Sequence, residues 1–87
     1  MKTERIVIEI MSAEVRRYVS FQDIYGRTYE TPVWHIRAYR EGSENAEWFD
    51  WATDQDVRPG MVVRATPTWE GLYCTRITRG RIIAERE

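Results

Sequence analysis

The chain has 87 residues, 43% of them hydrophobic, with 13 Lys and Arg against 14 Asp and Glu and a formal net charge of −1. This length supplies one modest core and therefore predicts a single domain over residues 1–87. Four Trp, five Tyr and two Phe exclude a disordered chain. The near-neutral charge excludes long-range attraction of nucleic acid by an overall positive field, although a local basic patch still binds it.

The beginning of the chain predicts one long strand. Isoleucines within Ile6–Ile10 recur with the period of two that strands show. A similar alternation continues beyond Ala13, so we predict a single bent strand over Arg5–Val19 whose two halves join different neighbours. Because Ala13–Tyr18 also has good helix propensity, a helical turn there is the alternative.

A second strand is predicted over Thr28–Arg40. It follows a connection, Phe21–Arg27, in which Gly26 supplies a positive φ. Alternation along the second strand places Trp34 on the face that packs into the core. Pro32 cannot donate a ladder hydrogen bond, so we expect it at an edge or a bulge.

The third predicted strand, Ala46–Thr53, carries a dense run of aromatic residues after a polar turn. Phe49 and Trp51 share one face of this strand and Trp48 lies on the other. Both faces cannot belong to the core of so small a domain. We therefore predict that Phe49 and Trp51 are buried and that Trp48 is exposed.

The last third of the chain predicts a β-hairpin. Its arms are Met61–Trp69 and Leu72–Glu85, rich in Thr, Ile, Val, Tyr and Trp, and they join across Glu70 and Gly71. Before them, Asp54–Arg58 is predicted to form at most one short helical turn.

These elements together indicate an all-β fold. Five strands with a short connection between the third and fourth predict a small OB-like Greek-key barrel. Closure of the sheet would remove the long edges that a flat meander exposes to aggregation. An SH3-like barrel is the alternative at this length.

Four short motifs occur in chain order: Tyr25–Tyr29 (Tyr-Gly-Arg-Thr-Tyr), the Trp48-Phe49 pair, Gly60, and Thr75–Arg79 (Thr-Arg-Ile-Thr-Arg). Together they resemble an OB-fold segment of phage and bacterial DNA-replication proteins. In that pattern the first motif leads into strand two, the second lies on strand three, the third precedes strand four and the fourth lies on strand five. The resemblance covers about Val15–Ile83 and implies a viral or bacterial replication-associated protein that binds single-stranded DNA without chemistry.

Arginines and aromatic residues interleave on the second, fourth and fifth predicted strands. Single-stranded nucleic-acid binders combine a positive track for phosphates with rings on which bases stack, and Arg suits both contacts. We predict that the protein binds single-stranded nucleic acid, with DNA favoured over RNA. The candidate binding residues are Arg37, Tyr39, Trp48, Arg64, Trp69, Tyr73, Arg76, Arg79 and Arg81.

Two other functions remain open from the sequence. Residues 41–56 hold six acidic residues and no basic one, and such a block suits a basic surface on a host or replication protein. The chain would then be a phage-type interaction module, an adaptor or an inhibitor, that also uses its exposed aromatic residues. A structural subunit that oligomerises by strand pairing is the third possibility.

Few residues in the sequence offer catalytic chemistry. His35 is the sole histidine and Cys74 the sole cysteine, so the sequence contains no zinc-ligand set. Asp50, Asp54 and Asp56 lack the spacing of a calcium loop and are interpreted as a solvated acidic turn. No phosphate-binding loop or nucleophile elbow occurs. We therefore expect neither an enzyme nor a cofactor or metal site.

The sequence also bears on the compartment. No run approaches the roughly 20 apolar residues of a membrane-spanning helix, and Glu4 and Glu9 interrupt the apolar stretch that a signal peptide needs. The single Cys74 excludes an internal disulfide and fits a reducing environment. We therefore expect a cytoplasmic protein without a membrane partner.

Overall fold

The computed structural model describes residues 4–86, and its regular structure is entirely β-strand. The strands are β1 (Ile6–Gln22), β2 (Thr28–Arg40), β3 (Ala46–Ala52), β4 (Met61–Glu70) and β5 (Thr75–Glu85). The predicted all-β class and the number of strands are confirmed. Within residues 4–86, no helix is long and apolar enough to cross a membrane.

The five strands form one sheet that closes on itself in the order β1-β2-β3-β5-β4. Neighbouring strands are antiparallel except for β3 and β5, which run parallel from the Phe49–Thr75 pair to the Trp51–Ile77 pair. Because β5 lies between β3 and β4, the order is that of a Greek key rather than a meander. The small barrel with OB-like connectivity is therefore confirmed.

Strand β1 bends so that it joins two neighbours. Its first residues, Ile6–Glu9, pair with β4, and from Ile8 onward the strand pairs with β2. Register shifts between Ile10 and Ser12 and between Val15 and Arg17 mark the irregular positions, and such bulges increase local bending. The bent strand is confirmed, and the alternative of a helical turn within it is wrong.

Strands β1 and β2 extend beyond the barrel as a two-stranded ribbon, residues 20–30, which we call the β1–β2 arm. Its pairing continues to Gln22 and Thr28, whereas β3 pairs with β2 only from Val33 onward. The turn at its tip begins at Asp23, two residues later than predicted. One Asp23 carboxylate oxygen accepts hydrogen bonds from the backbone amides of Tyr25 and Arg27 at 2.9 and 3.0 Å. These bonds fix the tight turn.

The barrel interior is filled by the residues that alternation selects. Phe49 and Trp51 are buried, as predicted, together with Ile8, Ile36 and Val63. Trp34, also predicted in the core, packs against it while partly buried. Its indole N–H donates to the carbonyl of Thr53 at 3.3 Å, so the polar edge of the ring is satisfied.

The connection between β3 and β4 contains no helical turn, which agrees with the prediction of at most one such turn over Asp54–Arg58. The Thr53 hydroxyl accepts a hydrogen bond from the backbone amide of Gln55 at 3.1 Å, which makes a local turn but no helix. Two residues later, Val57 is buried in the core cluster. Burial of this apolar side chain holds the connection against the barrel.

Strand β5 begins at Thr75, three residues later than predicted. Gly71–Cys74 form a loop, closed by a hydrogen bond from the Gly71 amide to the Cys74 carbonyl at 2.9 Å. The exposed fractions of Leu72 and Tyr73 are 88% and 84%. Their apolar character suggested a strand, but in this structure they project from the β4–β5 loop. Tyr73 is therefore a loop residue.

Candidate nucleic-acid interface

Five residues, one from each strand, lie side by side across the outside of the barrel. Direct pairing joins Glu14 to His35, His35 to Asp50, Asp50 to Arg76 and Arg76 to Trp69. Directly paired residues share a face, and the neighbouring positions, such as Phe49 and Ile77, point into the core. We call the five outward residues the cross-barrel row.

Trp48 lies next to the cross-barrel row, between a histidine and an arginine. Its ring stacks on His35 with centroids 4.3 Å apart and planes at 11°, and the Arg37 guanidinium lies 5.2 Å from the ring centroid. Trp48 is therefore half-buried rather than exposed as predicted, because its neighbours cover part of the ring. Cation–π attraction holds the guanidinium beside the ring.

A second arginine–tryptophan pair ends the row. The Arg76 guanidinium lies 5.5 Å from the Trp69 ring centroid, and Trp69 is 57% exposed. The exposed Tyr73 belongs to the loop that directly follows β4. We call the cross-barrel row together with Arg37 and Trp48 the row face.

The predicted arginines share one electrostatic property. Within residues 4–86, salt bridges hold five other arginines, namely Arg16, Arg27, Arg40, Arg58 and Arg86. The predicted binding arginines have no carboxylate of residues 4–86 within salt-bridge distance. They are Arg37, Arg64, Arg76, Arg79 and Arg81. An internal carboxylate therefore does not compete with a phosphate for these guanidinium groups.

The nine predicted residues do not form one surface. Arg37, Trp48, Arg76 and Trp69 belong to the row face, and Tyr73 lies in the adjoining loop. The remaining arginines lie on another part of the barrel, which we call the β4–β5 face, defined by Arg64, Arg79 and Arg81.

Pairing and shape define the β4–β5 face. Arg64 pairs with Arg81 on one side and with Val7 of β1 on the other. Arg79, with a positive φ of 51°, lines a concavity that also contains Arg5. Tyr39 lies on the same outward side of β2 as Arg37, two residues further along, and pairs with Ala46; it therefore adjoins the row face.

Two concavities differ in their chemistry. One of about 350 Å³ lies between β1, β3 and the β4–β5 hairpin, and its lining includes Arg17, Asp50 and Arg76. A larger one of about 620 Å³ includes Tyr39, Arg40 and Arg86. In the larger one both arginines are already paired with carboxylates. The smaller concavity, beside the row face, is the better site for an anionic ligand.

Sequence reasoning missed a cluster on the row face. His35 Nδ1 lies 2.8 Å from a carboxylate oxygen of Asp50, and the Cys74 thiol completes a group whose ligand atoms all lie within 4.8 Å of one another. The three residues belong to β2, β3 and the β4–β5 loop, so no local motif joins them. Only the parallel pairing of β3 with β5 brings Cys74 to this place.

The environment of Cys74 makes its thiol a weak acid. Burial, together with the charge of Asp50 and a hydrogen bond to it, raises the pKa of Cys74 to about 11. Because the thiolate is the nucleophile, we expect slow alkylation by iodoacetamide at neutral pH. Asp50→Asn should lower this pKa and speed alkylation at the same pH, measured by mass spectrometry. Equal rates in the two proteins would contradict the influence of Asp50 on the thiol.

The acidic residues of 41–56 do not form a single patch. Glu41 and Glu44 precede β3, whereas Asp54 and Asp56 follow it. The seven residues of β3 separate these ends by about 20 Å. Within the strand, Glu47 is held by Arg40 at 2.8 Å. The block that looks continuous in the sequence is thus divided between two ends of the barrel.

Comparison with known proteins identifies no relative of this chain. No protein-family model matches the chain, and neither curated proteins nor solved structures give a significant match. The functional argument therefore rests on the barrel and on the chemistry of its outer surface.

Proposed function

We propose that the protein binds single-stranded nucleic acid, with DNA favoured, and that it does so without catalysing a reaction. The observation that carries this proposal is the presence of two arginine–tryptophan pairs on the row face, Arg37 with Trp48 and Arg76 with Trp69. Each pair combines a cation for a phosphate with a ring for a base, the combination that single-stranded binders use.

The shape and charge around these pairs support the proposal. In OB-type barrels the face of strands two and three, flanked by the loops after strands one and four, binds oligonucleotides. Here β2 and β3 carry Arg37 and Trp48, and the loop after β4 presents Tyr73. The guanidinium groups of Arg37 and Arg76 can contact phosphate because no carboxylate of residues 4–86 lies within salt-bridge distance of either one.

The other predicted residues take secondary parts in the proposal. The β4–β5 face, with Arg64, Arg79 and Arg81, adds positive potential near the bound nucleic acid but does not face the two tryptophans. Such charges raise the rate of encounter more than they fix a base. Tyr39 lies two residues beyond Arg37 on the outward side of β2, so it can extend the row face next to the Arg37–Trp48 pair.

A titration with oligo-dT tests the proposal directly. We expect quenching of tryptophan fluorescence at micromolar protein and low salt, because Trp69 is largely exposed and Trp48 is partly exposed. If Arg37 and Arg76 each neutralise one phosphate, a tenfold rise in salt lowers the association constant by about 25-fold. Oligo-U in parallel distinguishes RNA from DNA. Absence of quenching and of any anisotropy change with labelled oligonucleotide would exclude the proposed function.

Binding of a host or replication protein is the second candidate function, and the β1–β2 arm favours it. Ile24 and Tyr25 at its tip are 91% and 77% exposed, which is unusual for apolar side chains and typical of interaction surfaces. Substitution of Ile24 by Asp should abolish capture of such a partner and should weaken oligonucleotide binding much less than Trp69→Ala does. Loss of oligonucleotide affinity instead would assign the arm to the nucleic-acid site.

A further inference from the structure

Three side chains of metal-binding type meet at the centre of the row face. His35, Asp50 and Cys74 come from two strands and a loop, and each offers one ligand atom within 4.8 Å of the other two. The side chains of His35 and Asp50 are 18% and 25% exposed, and Cys74 is half-buried. The cluster is therefore shielded on the barrel side and open on the other.

We propose that His35, Asp50 and Cys74 bind a divalent transition-metal ion, with Zn²⁺ as the best fit. Zinc accepts nitrogen, sulfur and oxygen from these three residue types and prefers four ligands in a tetrahedron. Three protein ligands leave the fourth position to water or to an external ligand. A mixed set with one thiolate and one imidazole disfavours Mg²⁺ and Ca²⁺, which take oxygen ligands.

The charges around the cluster are compatible with a dication. Asp50 pairs with Arg76 in the sheet, yet within residues 4–86 no arginine lies within salt-bridge distance of its carboxylate. Its charge is therefore available to a metal. With neutral His35, the thiolate of Cys74 and the carboxylate of Asp50, the site with Zn²⁺ has no net charge. Neutrality removes the repulsion that Arg17 and Arg76, the nearby cations, would otherwise exert.

Binding displaces one proton. The Cys74 S–H bond breaks, the sulfur lone pair enters the coordination bond, and the proton passes to the solvent. When Nδ1 of His35 binds the metal, the imidazole proton lies on Nε2, and the 2.8 Å hydrogen bond to Asp50 is replaced by coordination. No oxidant or reductant is needed. Because binding replaces the thiol proton, affinity should rise with pH.

Cobalt titration of the untagged, reduced and chelator-treated chain tests the proposal. We expect one equivalent of Co²⁺ to produce visible bands of a tetrahedral ion and a near-ultraviolet sulfur-to-cobalt charge-transfer band, and Zn²⁺ to displace it. Cys74→Ser should remove the charge-transfer band, and His35→Gln or Asp50→Asn should weaken binding at least about tenfold. Glu14→Gln is the matched control. Glu14 pairs with His35 in the sheet but lies outside the cluster, so this substitution should change neither the cobalt spectrum nor the affinity for the metal.

The outcomes separate this proposal from nucleic-acid binding. The titration contains no oligonucleotide, so a cobalt spectrum without oligo-dT binding would support the metal site and reject the proposed function. Absence of a charge-transfer band in the unmodified chain overturns the metal site. So does a band that His35→Gln and Asp50→Asn leave unchanged, because it would report a thiolate adduct alone. Circular dichroism of each variant confirms that it is folded, and the near-isosteric Cys74→Ser keeps the test decisive.

Discussion

Replacement of Trp69 by alanine should weaken oligo-dT binding by about 1–3 kcal/mol, or about 5- to 150-fold, if a base stacks on this ring. The ring is 57% exposed, so its removal should leave the fold intact. Arg76→Ala should also weaken binding and should reduce the slope of log K against log salt by about 0.7, the value for one phosphate of a single strand. Fluorescence anisotropy of labelled oligo-dT at several salt concentrations measures both effects.

Arg81→Ala provides the matched control for this prediction. Arg81 is exposed and has no carboxylate partner among residues 4–86, as is true of Arg76, but it pairs with Arg64 on the β4–β5 face. We expect only a small loss of affinity for this variant. If Arg81→Ala weakens binding as much as Arg76→Ala, the oligonucleotide follows the β4–β5 face, and the row face is not the principal site.

Substitution of Gly60 by alanine should destabilise the barrel by about 2–5 kcal/mol. Gly60 has a φ of +91°, which costs a residue with a Cβ about 1–2 kcal/mol, and this Cβ would collide with the backbone carbonyl oxygen of Arg86. Overpacking against fixed atoms costs about 1–3 kcal/mol more. The Gly60 amide donates to Ile10, and its carbonyl accepts from Arg86, so movement of the chain would break hydrogen bonds. Urea unfolding measures the loss.

Gly26→Ala separates the cost of the positive φ from the cost of the steric collision. Gly26 has a similar φ of +80°, but a Cβ there would meet no atom within 4 Å. Its replacement should therefore cost only the conformational part, about 1–2 kcal/mol. Since small domains have total stabilities of about 5–15 kcal/mol, the difference between the two variants is readily measured. Equal losses would show that Arg86 yields to the added methyl group.

The sequence predicted most of the barrel because its strands carry clear alternation. Burial of one face imposes a period of two, and Ile8, Ile36 and Phe49 show it. Where alternation gave no guidance, the predictions failed. The apolar Leu72 and Tyr73 looked like the start of a strand but lie exposed in a loop.

The candidate site was predictable in composition but not in arrangement. Arginine and aromatic residues were recognised as binding groups, but which of them share a face depends on register and on the insertion of β5 beside β3. Asp50 and Arg76 are neighbours only through that parallel pairing. For the same reason, His35 and Cys74 looked like isolated residues in the sequence, although their ligand atoms converge with that of Asp50.

The cross-barrel row takes one residue from every strand, and this has a consequence for folding. No hairpin or other fragment contains the whole row, so a ligand that needs it selects the fully closed barrel over every partly folded form. A slip of one residue in any strand would turn that strand's member of the row inward. Ligand binding at the row is thereby linked to cooperative folding, and the ligand stabilises the native state by mass action.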